Sequence, residues 1–377
     1  MSAKIHYEKE PCEYLANFDP MENRLKNGIA LSLIPQIILV KWLGSYPEII
    51  EKYYSQGIYP LLSGFFRTFF GWVPFSIGDI IYICLGLLAI KYIWTKRKYI
   101  VNKPLNFFRN AVVVLAVAYF TFHLLWGFNY YRQPISEALS LAENKQHTAL
   151  VMFTEKLIVA TNTQQLKINK DSTKRVQIPY SKKEIFNKTL QGYSDLKKEY
   201  PELDYLKPSL KTSLFSTLLT YMGYGGYLNP FTNEAQVNGK IPIIRLPVVA
   251  GHEIGHQLGY SAENETNFIG YLVTLKNSDP YFQYAALSYG LSYCLNEIKR
   301  KDEAKFKVLY AKVNNGVKDN YKEITAFWEA YKNPMEPVFK SVFSTFLKAN
   351  NQKKGIDSYN LVVSLLVAYH QQHPLDD

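Results

Sequence analysis

The short sequence His252-Glu253-Ile254-Gly255-His256 contains side chains that could act together on a metal ion and a water molecule. Residues four apart lie on the same face of an α-helix, so both imidazoles can reach one ion. The glutamate after the first histidine then lies beside the ion, where it can take a proton from water. Structural zinc sites usually have four protein ligands, often cysteines, and no cysteine is near this motif. The pattern therefore predicts a catalytic zinc held by His252 and His256, with Glu253 as general base.

The surroundings of the motif support this interpretation. From Pro247 to Gly259 the only charge, with histidine neutral, is on Glu253 itself, which is typical of a helix buried around a site. The alternative is a buried amphipathic helix with two incidental histidines. Buried histidines and a buried glutamate need polar partners in any case, and a zinc ion would supply one.

A third protein ligand is required, and two carboxylates follow the motif, Glu263 and Glu265. Gly259 is expected to end the first helix, and a second helix to begin near Ser261. On that second helix Glu265 would share a face with the apolar residues that pack inward, whereas Glu263 would lie on a more polar side. Glu265 is therefore the preferred ligand. Glu263 is the alternative ligand, and either Glu263 or Asn267 could orient a histidine.

The segment between Gly223 and Pro247 is rich in Gly, Asn and Pro and contains a short Ile-Pro-Ile-Ile run. It predicts a loop and then a strand or hairpin, directly before the motif helix. In zinc peptidases an extended segment at this place offers its edge to the substrate backbone, so it is assigned to one wall of a cleft. The alternative is a glycine-rich connector. Four candidates could stabilise an oxyanion, and the sequence does not discriminate among them: Tyr227, Tyr289, Tyr359 and His370.

Three stretches of the chain resemble a known family. HEIGHQLGYSAENETNFIGYL, together with the upstream YGGYLNPFTNEAQVN and WGFNYYR, is similar to the domain-of-unknown-function family 3810, which are bacterial membrane proteins with a zincin-like motif. The family pattern reads approximately H-E-x-x-H-x-x-G-x-x-x-E-x-E-x-N, and one departure is Thr266, where a small alanine is expected. The resemblance covers most of the chain. It implies a membrane-anchored, metallopeptidase-like protein, and the family name assigns no substrate. The HExxH motif with a downstream glutamate is itself the pattern of a gluzincin-type enzyme.

Three long apolar segments, at about 28–44, 77–94 and 111–128, approach the length that crosses a hydrocarbon core. The alternative, buried core helices of a soluble protein, is disfavoured by a strongly basic connection between the second and third segments. That connection has no acidic residue and carries Lys96, Arg97, Lys98, Lys103 and Arg109. The positive-inside rule places it in the cytoplasm. The lipid bilayer is therefore the first expected partner.

The predicted fold is mainly α, with three N-terminal transmembrane helices and then a mostly helical zincin-like domain with a small strand or hairpin element. Residues 1–27 are expected to be a cytoplasmic tail, because they lack the apolar core and cleavage site of a signal peptide. The membrane domain would extend over 28–134, with the aromatic segment 44–76 lying outside in the membrane interface. Residues 135–377 would form the extracytoplasmic domain. The expected location is the bacterial cytoplasmic (inner) membrane, multi-pass, with the N-terminus inside.

Charge distribution and cysteine positions argue against a nucleic-acid-binding protein and against a disulfide-rich or cysteine-zinc protein. The net charge is +11, but the basic residues are dispersed and most of the chain is expected outside the cytoplasm, which disfavours nucleic acid as a partner. The cysteines, Cys12, Cys84 and Cys294, are far apart, so neither a disulfide framework nor a cysteine zinc site is expected.

The sequence therefore predicts a membrane-anchored, zinc-dependent metallopeptidase. Glu253 would take the proton of a water that attacks the scissile amide carbonyl, and would deliver it to the leaving nitrogen. The substrate stays open between a protein, a small peptide and a cell-wall peptide. The alternative from another class is a non-catalytic membrane sensor or scaffold with a structural or vestigial metal site. Glu253 favours the enzyme, because a structural site has no use for a base at that position.

Overall fold

Helices dominate the computed structural model, which describes residues 20–141, 146–352 and 361–375. Sixteen α-helices and three strands are found in these ranges: α1 (Pro20–Leu43), α2 (Pro47–Ile49), α3 (Tyr59–Phe70), α4 (Ile77–Asn102), α5 (Pro104–Leu125), α6 (Ile135–Ala138), α7 (His147–Asn169), α8 (Lys182–Leu196), β1 (Leu210–Thr212), α9 (Ser216–Met222), β2 (Gly226–Asn229), β3 (Glu234–Val237), α10 (Leu246–Gln257), α11 (Glu263–Leu275), α12 (Pro280–Lys301), α13 (Glu303–Ala311), α14 (Asn315–Ala330), α15 (Glu336–Ala349) and α16 (Val362–Gln372). A π-helix (Ile50–Ile58) joins α2 to α3, and short 3-10 helices are found at Gly127–Tyr131, Pro201–Leu203 and Ile243–Arg245. The predicted mainly α fold with a small strand element is confirmed.

The chain divides into two units. The first consists of Met1–Trp42 and Leu87–Thr121, and the second of Leu43–Gly86 and Phe122–Asp377. Within the first unit, the Arg109 guanidinium donates a hydrogen bond of 2.9 Å to Asn23 Oδ1. The second unit contains the sheet, the motif helix α10 and all helices that follow it.

Among the residues that the structure describes, two helices, α4 and α5, are long and apolar enough to cross a membrane. The pair Asn23–Leu43 and Pro47–Phe70 adds a third span if the two helices are counted as one broken span. These two or three candidate spans are typical of a membrane protein. α4 and α5 are longer than the predicted segments 77–94 and 111–128, so the basic residues between 95 and 110 lie mostly on helix ends, and the helices break only at Lys103.

The structure adds detail to the N-terminal part in two places. α1 begins at Pro20, within the segment 1–27 that is predicted to be a tail, and residues 1–19 lie outside the described residues. The aromatic segment 44–76 is largely helical, because it contains α2, the π-helix and α3. Several polar side chains of this segment, including Ser55 and Ser63, are buried, so it packs within the second unit as well as carrying exposed aromatic rings.

A small three-stranded sheet precedes the motif helix, with the strand order β1-β3-β2. β3 is parallel to β1, with Leu210 opposite Ala235, and antiparallel to β2, with Gly226 opposite Val237. β3 is buried along its whole length, and β2 is an edge strand. The hairpin β2–β3 therefore comes earlier than the Ile-Pro-Ile-Ile run, which leads into the 3-10 helix before α10 instead of forming a strand.

A buried ion pair attaches the sheet to the start of α4. The Lys211 ammonium contacts the Glu234 carboxylate, and both side chains are almost completely buried, at 3% and 0% exposed. The same carboxylate accepts hydrogen bonds from the backbone N–H groups of Ile77 (3.1 Å) and Gly78 (2.6 Å), in the first turn of α4. A negative charge at a helix N-terminus also complements the helix dipole. One carboxylate thus connects β1, β3 and a candidate membrane-spanning helix.

Replacing Glu234 by Gln is expected to lower the free energy of unfolding by about 3–5 kcal/mol, because the Lys211 ammonium would stay buried without its carboxylate. Thermal or chemical unfolding of the detergent-solubilised chain measures the change. The matched control is Glu303→Gln, which removes an exposed pair with Lys307 at 3.9 Å and should change stability little. Equal losses for the two variants would contradict the role given to the buried pair.

Candidate metal centre

The whole motif lies on α10, and the ends of this helix follow from its sequence. Pro247 is in the first turn, where its fixed φ suits a helix and its missing N–H is not needed. Gly259 has a φ of +86°, the left-handed conformation in which glycine commonly ends a helix. The predicted stop at Gly259 is confirmed. The next helix, α11, begins at Glu263, two residues later than the predicted start near Ser261.

Two glycines allow α10 and α11 to approach closely. A Cβ atom at Gly270 would lie 2.5 Å from the backbone carbonyl oxygen of Val248, and a Cβ atom at Gly251 would lie 2.6 Å from Val273 Cγ1. Any larger residue at Gly270 would therefore push the two backbones apart. The close approach brings the first turns of α11 against the face of α10 that carries both histidines.

Two imidazoles and one carboxylate meet between these helices. His252 Nε2 lies 3.4 Å from Glu263 Oε2, and His256 Nε2 lies 3.8 Å from Glu263 Oε1. One ligand atom from each of the three residues can be chosen so that all lie within 4.8 Å of one another. The side chains keep only 12%, 9% and 7% of their surface exposed, in the order His252, His256, Glu263. This cluster is where a metal ion could bind.

Hydrogen bonds fix which nitrogen of each imidazole faces the carboxylate. His252 Nδ1 lies 3.0 Å from Asn267 Oδ1, and His256 Nδ1 lies 2.8 Å from the backbone carbonyl oxygen of Tyr260. Both oxygens only accept, so each Nδ1 is a donor, and in the neutral form of each ring the Nε2 lone pair is directed into the cluster. Asn267 Oδ1 also accepts from the Tyr289 hydroxyl at 2.7 Å, which holds the amide in place. The arrangement is the one that orients histidine ligands at metal sites.

The structure places Glu265, the ligand preferred from the sequence, apart from the two histidines. Its carboxylate accepts a hydrogen bond of 2.9 Å from the backbone N–H of Ile135, and it is not part of the cluster. Glu263, the alternative, is the carboxylate beside the histidines. The preference for Glu265 depends on a contrast between an apolar and a polar face of α11. Nearly every residue of α11 is buried, so this contrast does not exist in the folded protein.

Glu253 lies in the same buried environment and has a free acceptor. Its side chain is almost completely buried, and Oε2 has no hydrogen-bond partner among the described residues. Burial raises the pKa of Glu253 to about 8; the neighbouring His252 opposes this change and the negative charge of Glu263 adds to it. A carboxylate with a raised pKa and an unused oxygen is suited to accept a proton.

The two histidines differ in their protonation. Burial lowers the pKa of His256 to about 4, although the negative charge of Glu263 acts in the opposite direction. For His252, burial alone would also lower the pKa, but the hydrogen bond to Glu263 and the charges of Glu253 and Glu263 raise it above its ordinary value. His256 is therefore neutral over the physiological range, as a metal ligand must be.

Side chains from elsewhere in the second unit hold the C-terminal end of α10. The last carbonyl groups of a helix need donors from outside it. The Trp126 indole N–H donates to the carbonyl oxygen of His256 at 3.1 Å. The hydroxyl groups of Tyr59 and Ser63 donate to the carbonyl oxygen of Gln257 at 2.8 and 3.4 Å. Residues far away in the sequence thus hold the last turn of the motif helix.

A cavity of about 710 Å³ is lined by the cluster, by Glu253 and by Asn267. Its other walls come mainly from aromatic and aliphatic side chains of α9, β2 and α15. Tyr82 of α4 and Phe122 of α5 also line it. The candidate metal centre therefore opens into a largely apolar space.

The edge strand β2 lies directly against Glu253. A Cβ atom at Gly226 would overlap the Glu253 carboxylate and would lie 2.5 Å from the backbone carbonyl oxygen of Gln236. Only glycine fits there. The Asn238 N–H donates to the carbonyl oxygen of Gly225 at 2.8 Å. In an antiparallel ladder the pairing alternates, so the N–H and C=O groups of Gly226 and Leu228 are on the edge of β2 that faces away from β3.

Of the four candidates for an oxyanion-stabilising residue, two line the cavity, one lies in the core and one lies outside the described residues. Tyr289 lines the cavity but donates its hydroxyl to Asn267. Tyr227 also lines the cavity and donates to the Asp79 carboxylate. The His370 ring is engaged with the Tyr271 hydroxyl at 2.7 Å in the core, and Tyr359 lies outside the described residues.

Two residues at the cavity or the motif helix are not predicted from the sequence. Arg245 lines the cavity, and its guanidinium lies 4.6 Å from the centre of the Tyr289 ring. Trp126 contacts the backbone of the motif helix, as described above. The only signal for Trp126 was its place in the WGFNYYR stretch, and Arg245 had no signal beyond its position just before α10.

The chain matches the family described as "Protein of unknown function (DUF3810)" over residues 54–367. It belongs to the DUF3810 family. The matched region contains every residue that lines the cavity. Comparison with curated proteins gave no significant match, and comparison with solved structures gave none either. Membership of DUF3810 confirms the family that the sequence resembles.

In this DUF3810 protein, Gly226→Ala is expected to lower the free energy of unfolding by about 1–3 kcal/mol, because the new methyl group overlaps Glu253 and the backbone of β3. The matched control is Gly225→Ala, whose methyl group would meet Val249 only at 3.4 Å, an ordinary contact. Unfolding of both variants in the same detergent measures the difference. If both were as stable as the unchanged chain, β2 would not lie against Glu253 as described.

Proposed function

We propose that this protein is a membrane-anchored zinc metallopeptidase of gluzincin type. His252, His256 and Glu263 hold the zinc ion, and Glu253 is the general base. One observation carries the proposal: the Nε2 atoms of both histidines converge on the Glu263 carboxylate, while the unpaired Glu253 oxygen lies in the same cavity. An ordinary core would have no reason to bury this set of groups together.

The donor set fits zinc. Two imidazole nitrogens and one carboxylate oxygen are ligands that zinc accepts, and three protein ligands leave a fourth position open. In a tetrahedral site with bonds of about 2.0–2.1 Å, neighbouring ligand atoms are about 3.3 Å apart. The observed separations of 3.4 and 3.8 Å need only small side-chain adjustments. When bound, zinc supplies Lewis acidity, which lowers the pKa of water and polarises a carbonyl group.

The residues of the chain have separate tasks in peptide hydrolysis. Glu253 takes a proton from the attacking water and delivers it to the leaving nitrogen. Asn267 and the Tyr260 carbonyl group hold the imidazoles in the orientation that leaves Nε2 free. The outer edge of β2 binds the backbone of an extended substrate through the N–H and C=O groups of Gly226 and Leu228. This edge beside Glu253 favours a peptide as the substrate.

The proposed location is the bacterial cytoplasmic membrane, with the N-terminus inside and the catalytic part outside the cytoplasm. Its support is the group of basic residues near the adjoining ends of α4 and α5, from Lys96 to Arg109, where no acidic residue is present. Proteins, small peptides and cell-wall peptides are all accessible substrates from that side of the membrane.

Purified full-length protein that is equilibrated with zinc and then desalted is expected to contain about one zinc per chain. His252→Ala and Glu263→Gln should lose most of it, because each removes a ligand. Glu265→Gln is the matched control and should keep it, because Glu265 contacts Ile135 instead of the cluster. Elemental analysis measures the content. A chain without zinc, or one that needs Glu265 and not Glu263, would contradict the proposed ligands.

Glu253→Gln is expected to keep its zinc and to lose hydrolysis by about 100-fold or more, since the amide cannot accept the proton of water. The measurement is cleavage of a peptide library by the zinc-loaded full-length chain, followed by mass spectrometry. The surface variant Glu303→Gln serves as the control and should cleave normally. Full activity of Glu253→Gln would exclude Glu253 as the base. A zinc-loaded unchanged chain that cleaves no peptide would favour the sensor or scaffold.

A further inference from the structure

Helix α15 exposes a row of apolar side chains, although it lies outside the candidate membrane spans. Val338, Val342 and Phe346 are 49%, 65% and 40% exposed. Residues four apart lie on one face of a helix, so these side chains form a continuous row. An exposed apolar row of this kind needs a partner, because soluble surfaces seldom leave one uncovered.

Helix α9 and the residues before it add to the same surface. Leu214, Leu218 and Tyr221 are 53%, 51% and 47% exposed. α9 packs against α15. Asn333, which lies just before α15, donates from Nδ2 to the Tyr221 carbonyl oxygen at 2.7 Å. We call these residues the α9–α15 surface: Leu214, Leu218, Tyr221, Val338, Val342 and Phe346.

The α9–α15 surface is at the rim of the cavity. Leu218 and Phe346 both line the cavity and are about half exposed, so they lie where its wall meets the outside. Phe346 also contacts the end of a candidate membrane span, because its ring centre is 6.0 Å from that of Phe122 on α5. Tyr82 of α4 lines the same cavity. The apolar rim therefore includes residues at the ends of two candidate membrane-spanning helices, and this continuity favours lipid as what covers it.

We propose that α9 and α15 lie in the surface of the bilayer, that the cavity opens there, and that its substrate is an apolar peptide segment held at this surface. The part about the substrate rests on the proposed peptidase function. The free energy falls when an apolar side chain of the substrate leaves water and packs against the aromatic walls. A polar side chain would lose its hydration there and find few partners in exchange. The cavity walls therefore select for apolar residues next to the cleaved bond.

Lipid contact is tested without any measurement of activity. A photo-crosslinking residue, benzoylphenylalanine, replaces Val342 or Leu218 in the full-length chain, which is reconstituted in nanodiscs of phosphatidylcholine and phosphatidylglycerol. The matched control is Val308 on α13, which is 56% exposed but not part of the cavity. We expect lipid adducts at positions 342 and 218, with a yield about tenfold above that at Val308. Equal yields, or adducts to a second copy or another protein in place of lipid, would overturn the proposal.

The substrate class is tested with the full-length Glu253→Gln variant in the same nanodiscs, so that binding is measured without cleavage. The probes are two fluorescent peptides of equal length, one with a run of Leu and Val and one with Ser and Gln in their place. The apolar peptide should bind about tenfold more tightly, and Val342→Asp, but not the neighbouring Thr345→Asp, should weaken it. Equal affinity for both peptides would overturn the substrate class.

The two proposals fail in different ways. Lipid adducts together with a zinc-loaded chain that cleaves neither peptide would support the bilayer contact and overturn the peptidase. Cleavage of peptides without lipid adducts at Val342 and Leu218 would overturn the bilayer contact and leave the peptidase in place.

Discussion

The close approach of α10 and α11 is the constraint on which the site depends. At Gly270 the two backbones are so near that a methyl group would collide with the carbonyl oxygen of Val248. This distance lets the short side chain of Asn267 reach the His252 ring, and lets Glu263 reach both imidazoles. If the two helices were further apart, all of these contacts would be lost. The chemistry of the cluster is therefore set by packing as much as by the identity of its ligands.

Much of the local structure could be predicted, because it depends on short-range rules. The spacing of the two histidines requires a helix, and Gly259 ends that helix for a steric reason that holds in any context. The family resemblance, carried by contiguous residues, is confirmed too. The ends of α4 and α5 were harder, because charged residues such as Lys96 continue a helix as readily as they end one. The strands of the sheet are so short that the alternation of apolar and polar residues does not indicate where each one begins and ends.

The choice between Glu263 and Glu265 shows where sequence reasoning stops. Both carboxylates are buried, and both have polar partners. What separates them is a partner from far away in the sequence: the N–H of Ile135 satisfies Glu265. Helical periodicity describes one helix at a time and contains no information about that contact. Arg245 was missed for the same reason, because its guanidinium lies over the Tyr289 ring only in the folded chain.

The donors at the C-terminal end of α10 have a consequence for how the protein could be released from its membrane. Many anchored ectodomains are shed in active form by one cut between the anchor and the folded domain. Here Tyr59, Ser63 and Trp126 precede the point where such a cut would fall, yet they donate to the carbonyl groups at the end of the motif helix. A fragment that began after residue 134 would leave those carbonyl groups without partners beside His256. Such a cut would thus also remove the donors that hold the last turn of the motif helix, so the candidate metal centre depends on residues that precede residue 134.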